Sequence, residues 1–386
     1  FYRTIAGQFD EPALTIHWRA EGRYEFDALA FIPGSRPFDL FNPERKGRSR
    51  LYVRRVLVST DADLLPPWLR FVTLLVDSAD VPLNVSREIV QKSPVLAAIR
   101  KAVVGRVVQE LTKLAENDKE KFASVWKNFG SVLKEGLYED PERRDALFAM
   151  ARFATSTHGD GDRTLAQYVA DLRPNQTAIY YLTGTDAAAV AASPHLEGFR
   201  ARGIEVLLLS DPVDSFWVSS AVGFDGKPFR SVTQGQADIS QIPLVDGAEE
   251  QKKPELDASA ATAIAKMKEA LGERVSDVRV SERLADSPAC LVASDMAPDR
   301  TLAKILASAG RLDASMRPVL EINLGHPLVQ ALIARSGDDR AEFDEAVGLV
   351  LDLAQLAEGE APENGPDVAR RLSKWLARAL SANGAA

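Results

Sequence analysis

One arginine, placed where a strand gives way to a helix, is the most chemically suggestive residue in this sequence. It lies in DSADVPLNVSREIVQ, Asp77 to Gln91. The preceding LRFVTLLV, Leu69 to Val76, is an apolar run rich in β-branched residues and predicts a buried strand. Pro82 ends any pairing, because it has no N–H to donate. Asn84 or Ser86 can cap the turn that follows. Arg87 then stands on the first turn of a short helix at the open end of a strand, where α/β sheets place their sites. The positive end of the helix dipole works against a guanidinium there, so the partner must be a carboxylate or a phosphate, and a phosphate is the sharper expectation. Taken alone, an arginine after a serine is most often a solvated residue at a helix start.

Other chemistry finds little support. His17, His158, His195 and His326 are scattered without metal-ligand spacing, and Cys290 is the only cysteine, so no metal site is expected. PACLVAS around Cys290 predicts a buried strand position rather than a reactive thiol. HGDGD, His158 to Asp162, has glycines but neither the strand before it nor the helix spacing of a dinucleotide fingerprint. Its aspartates would repel a phosphate, and a flexible linker between helices is expected. No Walker A lysine pattern and no GxSxG elbow occur. The net charge of −8 argues against a nucleic-acid partner, which needs clustered Lys and Arg. No apolar run approaches the roughly 18 residues of a membrane span, and the first residues lack a signal-peptide layout, so a cytoplasmic protein with no membrane partner is expected.

The elements that must position Arg87 follow from periodicity. With 386 residues, 46% of them hydrophobic, two or three domains with substantial cores are expected. Tyr24 to Gly34 and Arg48 to Thr60 alternate apolar and polar residues as half-exposed strands do, and are predicted to share a sheet with Leu69 to Val76. After Ser93 and Pro94, Leu96, Ile99, Val103, Val107, Leu111 and Leu114 recur at steps of three and four, which predicts one long amphipathic helix. Two more helices carry Phe122, Val125, Trp126, Phe129 and Leu133, then Leu147, Phe148 and Ala151. Thr177 to Leu182 and Ile204 to Leu209 read as strands flanking an alanine-rich helix, a βαβ unit with a right-handed crossover. The clearest break is the polar stretch around EEQKKPE, Glu249 to Glu255. Beyond it are predicted a helix at Ala258 to Leu271 capped by Gly272, strands at Val275 to Val280, Ala289 to Val292 and Pro318 to Ile322, and helices at Glu342 to Ala357 and Asp367 to Leu380. The fold class is α/β followed by mixed α+β, ending in a helix pair.

VDSADVPLNVSREIVQ as a whole resembles the catalytic loop of the ninety-kilodalton heat-shock protein chaperones in their bacterial form. The likeness continues through Tyr180 to Asp214, Phe224 to Val232 and Leu271 to Ala289, and extends over nearly the whole chain. FYRTIAGQFDEPALTIHW resembles the start of that family's middle domain, so the ATP-binding domain that opens the family is expected to lie upstream of Phe1. The resemblance implies a middle domain over 1–245, made of a large α/β region over 1–115, a helical connector over 116–172 and a small α/β region over 173–245. It further implies a linker at 246–257 and a dimerisation domain over 258–386. It implies that Arg87 reaches the γ-phosphate of ATP held, with Mg2+, by that separate domain, with Gln91 and Asn84 supporting the loop. The chain by itself is expected to bind no cofactor and to hydrolyse no ATP. A guanidinium offered across domains is worth roughly 10³ to 10⁵ in rate when fully engaged, and makes hydrolysis depend on domain closure.

The implied partners are a second copy of the chain, partly folded client proteins and the chain's own ATP-binding domain. PFDLFN, Pro37 to Asn42, follows a turn and is expected to project Phe38, Leu40 and Phe41 toward client or nucleotide domain, or else to tuck Phe38 and Phe41 under its own sheet. Phe216 and Trp217, with Met296, Leu302, Ile305 and Leu306, are expected to line a client groove. Val347, Leu351, Leu372, Trp375 and Leu376 carry more apolar surface than one layer can hide, and are expected to meet a symmetry mate over an area on the order of 1,200 to 2,000 Å², the alternative being that both helices pack only on their own domain. The tail SANGAA lacks the acidic motif by which eukaryotic cytosolic relatives dock helper proteins, so such partners are not expected. Two rivals are a small-molecule transferase with its pocket at the strand ends Leu182 and Leu209, and a passive dimeric scaffold.

Overall fold

The computed structural model describes residues 1–42, 48–82, 93–234, 239, 241–245, 256–294, 297–311, 317–337, 339–362 and 364–383. Contacts divide the chain into two units, Phe1–Arg152 and Phe153–Ala386, the cut falling inside the 116–172 stretch. Of the expected linker at 246–257, residues 246–255 lie outside the described residues.

In the first unit a short helix α1 (Tyr2–Ala6) precedes a sheet of β1 (Pro12–Ala20), β2 (Phe26–Pro33), β3 (Arg48–Val53), β4 (Val56–Ser59) and β5 (Thr73–Asp77), ordered β1-β2-β5-β3-β4. The predicted sharing of one sheet holds, with β5 antiparallel to β2 and parallel to β3. Arg48 to Thr60 is a hairpin rather than one strand, because Arg54 and Arg55 take positive φ and reverse the chain. Leu69 to Val76 is only partly strand. Pro67–Leu69 forms a 3-10 turn that buries Trp68 and Leu69, and pairing begins at Thr73. Helices α2 (Pro94–Asn117), α3 (Lys119–Glu139) and α4 (Arg144–Met150) pack on one another, with Leu96, Ile99, Val103, Val107 and Leu111 buried along α2 as their spacing requires. Phe71 stacks on Phe129 at 4.4 Å between ring centroids. Gly136 lets α3 approach the turn closely, since a Cβ there would lie 2.8 Å from the Trp68 ring.

The second unit holds two sheets. The first contains β6 (Ala154–Thr155), β7 (Ile179–Thr183), β8 (Val206–Leu209), β9 (Gly223–Phe224) and β10 (Lys227–Ser231), ordered β6-β8-β7-β10-β9, with β7 parallel to both β8 and β10. Helices α5 (Leu165–Ala170), α6 (Ala187–Ala191), α7 (Glu197–Ala201) and α8 (Asp214–Ser220) accompany it. His158 is not in a linker between helices. It stands in a turn beside β6, where Thr155, Arg163 and the His158 ring all bond the Glu205 carboxylate. After helix α9 (Ala258–Leu271) comes a sheet of β11 (Asp277–Val280), β12 (Ala289–Val292) and β13 (Val319–Ile322), ordered β11-β13-β12. Helices α10 (Arg300–Ser308), α11 (Pro327–Ala334), α12 (Arg340–Ala357) and α13 (Gly365–Asn383) complete the unit. The architecture is therefore α/β and α+β. One core gathers Val206, Phe199 and Leu182 under the β7 sheet, and another gathers Leu320, Leu291, Met267 and Val347 under the β13 sheet.

Candidate functional site

Asn84, Arg87 and Gln91 lie outside the described residues. What is described is the anchor from which their segment departs. Asp77, at the end of β5, accepts the Arg55 backbone N–H through both carboxylate oxygens at 3.2 and 3.1 Å. Ser78 donates its hydroxyl to the Glu25 carbonyl at 2.6 Å, and Asp80 accepts the Glu25 N–H at 2.8 Å. These bonds tie the strand end to the hairpin on one side and to the start of β2 on the other. The chain therefore leaves the sheet from a fixed point.

The PFDLFN loop is split by its own packing. Leu40 is buried, contrary to the expectation that it projects, because a turn bond from Leu40 N–H to the Pro37 carbonyl folds it inward while Arg70 Nε donates to its carbonyl at 2.9 Å. Arg70 is itself paired to Glu135 and lies 5.9 Å from the Phe41 ring, which stays about half exposed. Phe38 is fully exposed. Sequence reasoning missed Phe9, which is exposed to the same degree. Asp10 beside it accepts both the backbone N–H and the hydroxyl of Ser35 at 2.8 Å, so the loops that carry Phe9 and Phe38 are tied together. An aromatic residue in the polar context GQFDEP was the available signal.

The expected client groove of α8 and α10 is partly corrected. The two helices touch, but Trp217 is a core residue: its ring is edge-on to Phe229 at 5.4 Å and its Nε1 donates to Asp214 at 2.7 Å. Phe216, Ile305 and Leu306 are half-buried, Leu302 is buried, and Met296 lies outside the described residues. Around the start of α10 is a charged network that no local pattern announced. Glu358, after α12, bonds the His195 ring at 3.3 Å, Arg300 at 3.2 Å and the Leu291 N–H at 2.7 Å, while Arg300 and Lys304 also pair with Glu360. Burial alone would push the Glu358 carboxyl up, but Arg300, His195 and the Leu291 amide outweigh it and hold it down at about 2.

At the carboxyl end, Val347 and Leu351 point into their own core and are removed from the expected interface. Leu372 and Leu376 are exposed, as is Leu380, at i, i+4 and i+8 along α13, and Trp375 is half-buried. Beside them an apolar cavity of about 280 Å³ opens among α11, α12 and α13, lined by Leu328, Phe343, Leu349, Leu353, Leu372 and Trp375. The Trp375 Nε1 is buried there without a hydrogen bond. Among the described residues, no helix is long and apolar enough to cross a membrane, and no cluster of His, Cys, Asp and Glu could hold a metal ion.

An α/β unit followed by α+β layers, with exposed apolar side chains on its loops and along its terminal helix, defines the structural class. Comparison with known proteins sharpens that class: a profile described as "Hsp90 protein" matches residues 1–386, and the chain belongs to the Hsp90 family. It is similar to proteins named chaperone protein HtpG: 56% identical over 380 residues to that of Rhizobium meliloti, 55% over 385 to that of Mesorhizobium japonicum, and 57% over 385 to that of Azorhizobium caulinodans. These alignments take in 98%, 99% and 98% of the chain respectively, and the chain spans 60% of the length of each relative.

Proposed function

We propose that the chain is the middle and C-terminal portion of an ATP-dependent, cytoplasmic, dimeric chaperone that holds partly folded proteins. Arg87 completes the ATPase of a nucleotide domain that binds ATP and Mg2+, with Asn84 and Gln91 supporting its loop. The α13 stripe joins two copies, and the joined base raises the effective concentration of the two nucleotide domains for each other, so that ATP can close a clamp without tight domain affinity. Phe38, Phe41 and the half-buried face of α10 offer apolar surface to clients. The observation that carries this proposal is the likeness to HtpG along the whole chain, to which the exposed Phe38 and the Leu372–Leu376–Leu380 stripe add surfaces of the right kind.

The transferase rival needs a pocket at the end of β7. The cavity there, bordered by Leu182, Gly184 and Ser193, is about 120 Å³, against the roughly 300 to 1,000 Å³ of small-molecule sites, and Leu209 does not line it. The test is ATP turnover by the polypeptide that includes the nucleotide domain, compared between wild type and Arg87→Ala, both shown to be folded dimers. A fall approaching 10³-fold is expected for a fully engaged arginine. Turnover unchanged by the substitution refutes the role of Arg87, and no turnover in either protein favours the scaffold.

A further inference from the structure

The described first turn of α10 is held by a socket of hydroxyls. Asp299 is buried at the N-cap of this helix and accepts the Thr301 N–H at 3.0 Å. Its carboxylate also accepts Thr183 Oγ1 at 2.6 Å from the end of β7, Ser231 Oγ at 2.5 Å from the end of β10, and Thr233 Oγ1 at 2.9 Å from the turn after β10. Thr301 returns a bond from its hydroxyl to the Thr183 carbonyl at 3.2 Å. The hydroxyls come from residues 66 to 116 positions away in sequence. A buried carboxylate is costly unless its lone pairs are filled, and here three hydroxyls, one amide and the positive end of the helix fill them.

We propose that Asp299 is a positioning residue that sets how α10 is docked and rotated, and thereby which apolar side chains it offers to a client. An apolar contact tolerates rotation of a helix about its axis, whereas a carboxylate held by several directional bonds does not. With 3.6 residues per turn, fixing Asp299 inward also turns the buried Leu302 and the half-buried Leu306 toward that side, and leaves the half-buried Ile305 at the flank. Arg300 and Lys304, paired with Glu358 and Glu360, hold the opposite side of the same turn. Beyond this turn the exposed Ser308, Ala309 and Gly310 close the helix. The client half of the proposal rests on the chaperone function proposed above; the docking half does not.

The test uses hydrogen exchange read by mass spectrometry on the 386-residue chain, with the melting temperature and suppression of aggregation of a thermally unfolding protein measured in parallel. Two variants reach the socket from opposite sides: Asp299→Asn on the helix, and Thr183→Val with Ser231→Ala on the strands, which changes no residue of α10. Both are expected to speed exchange of the Leu302–Ser308 amides by about tenfold or more, from the loss of charge-assisted bonds, while peptides from β8 and β13 keep wild-type exchange. Thr233→Ser retains a hydroxyl and is expected to behave as wild type. Faster α10 exchange with weaker aggregation suppression supports the whole proposal. Faster exchange with unchanged suppression upholds the socket and removes α10 from client holding. Unchanged α10 exchange, or exchange that rises equally in β8 and β13, overturns the proposal.

Discussion

Replacing Leu376 and Leu380 together by alanine tests the α13 stripe most directly. The two side chains are 55% and 74% exposed in the single chain, so their truncation removes little that the monomer has already buried. Full burial of a leucine is worth about 2 kcal/mol, so covering the surface still exposed contributes about 1 kcal/mol at Leu376 and about 1.5 kcal/mol at Leu380. A two-fold interface uses each residue twice, which makes the double substitution worth about 5 kcal/mol of association, or between three and four orders of magnitude in Kd. Sedimentation velocity over a wide concentration range reads the Kd, and the melting temperature of the variant at concentrations where both proteins are monomeric checks the fold. A shift in Kd of less than tenfold with the fold intact refutes the stripe as the interface. Val347→Ala is the contrasting control, since that side chain sits in the intrachain core and its truncation should lower stability before it changes association.

Phe38→Ser should leave the melting temperature within about a degree while weakening aggregation suppression, whereas Leu40→Ser, two residues away, should cost about 2 to 4 kcal/mol by placing a hydroxyl in a buried apolar site; equal effects on stability would contradict the split in this loop. The Glu358 carboxyl is held at about 2, below its ordinary 4.5, so its stabilisation is fully present above about pH 4.5 and is lost as the pH falls from there toward 2. Glu358→Gln should therefore be less stable than wild type near neutrality by a few kcal/mol, with the difference in unfolding free energy shrinking through that acid range; a difference independent of pH would contradict the network.

How far the sequence determined this protein depends on the distance over which each signal acts. Helices α2, α9 and α12 were legible because a three- and four-residue apolar rhythm and the caps at Pro94 and Gly272 are local, and α9 begins and ends where its sequence predicts. Strands were harder. β1 was not read at all, although Leu14 to Ala20 alternates apolar and polar residues and its burial follows that alternation, and the Arg48 to Thr60 hairpin was hidden because two arginines give no turn signal although their backbone reverses there. The expectation of a phosphate partner for Arg87 and the family likeness were carried by contiguous residues.

Which of several similar apolar stripes is consumed by the core was decided only by the tertiary structure. The pattern that marks Val347 and Leu351 as one stripe is the same kind that marks Leu372 and Leu376, yet packing against β12, β13 and α9 consumes the first and leaves the second exposed. Leu40 and Phe38 are distinguished by the turn bond from Leu40 to Pro37 and by the Arg70 guanidinium on the Leu40 carbonyl, and Trp217 is withdrawn from its groove by Asp214 and Phe229. The sockets around Asp299 and Glu358 assemble residues from strands and helices more than fifty positions apart. A carboxylate's partners are chosen by proximity after folding, so nothing local in the chain encodes them, while a helix or a contiguous loop motif is already written in its neighbours.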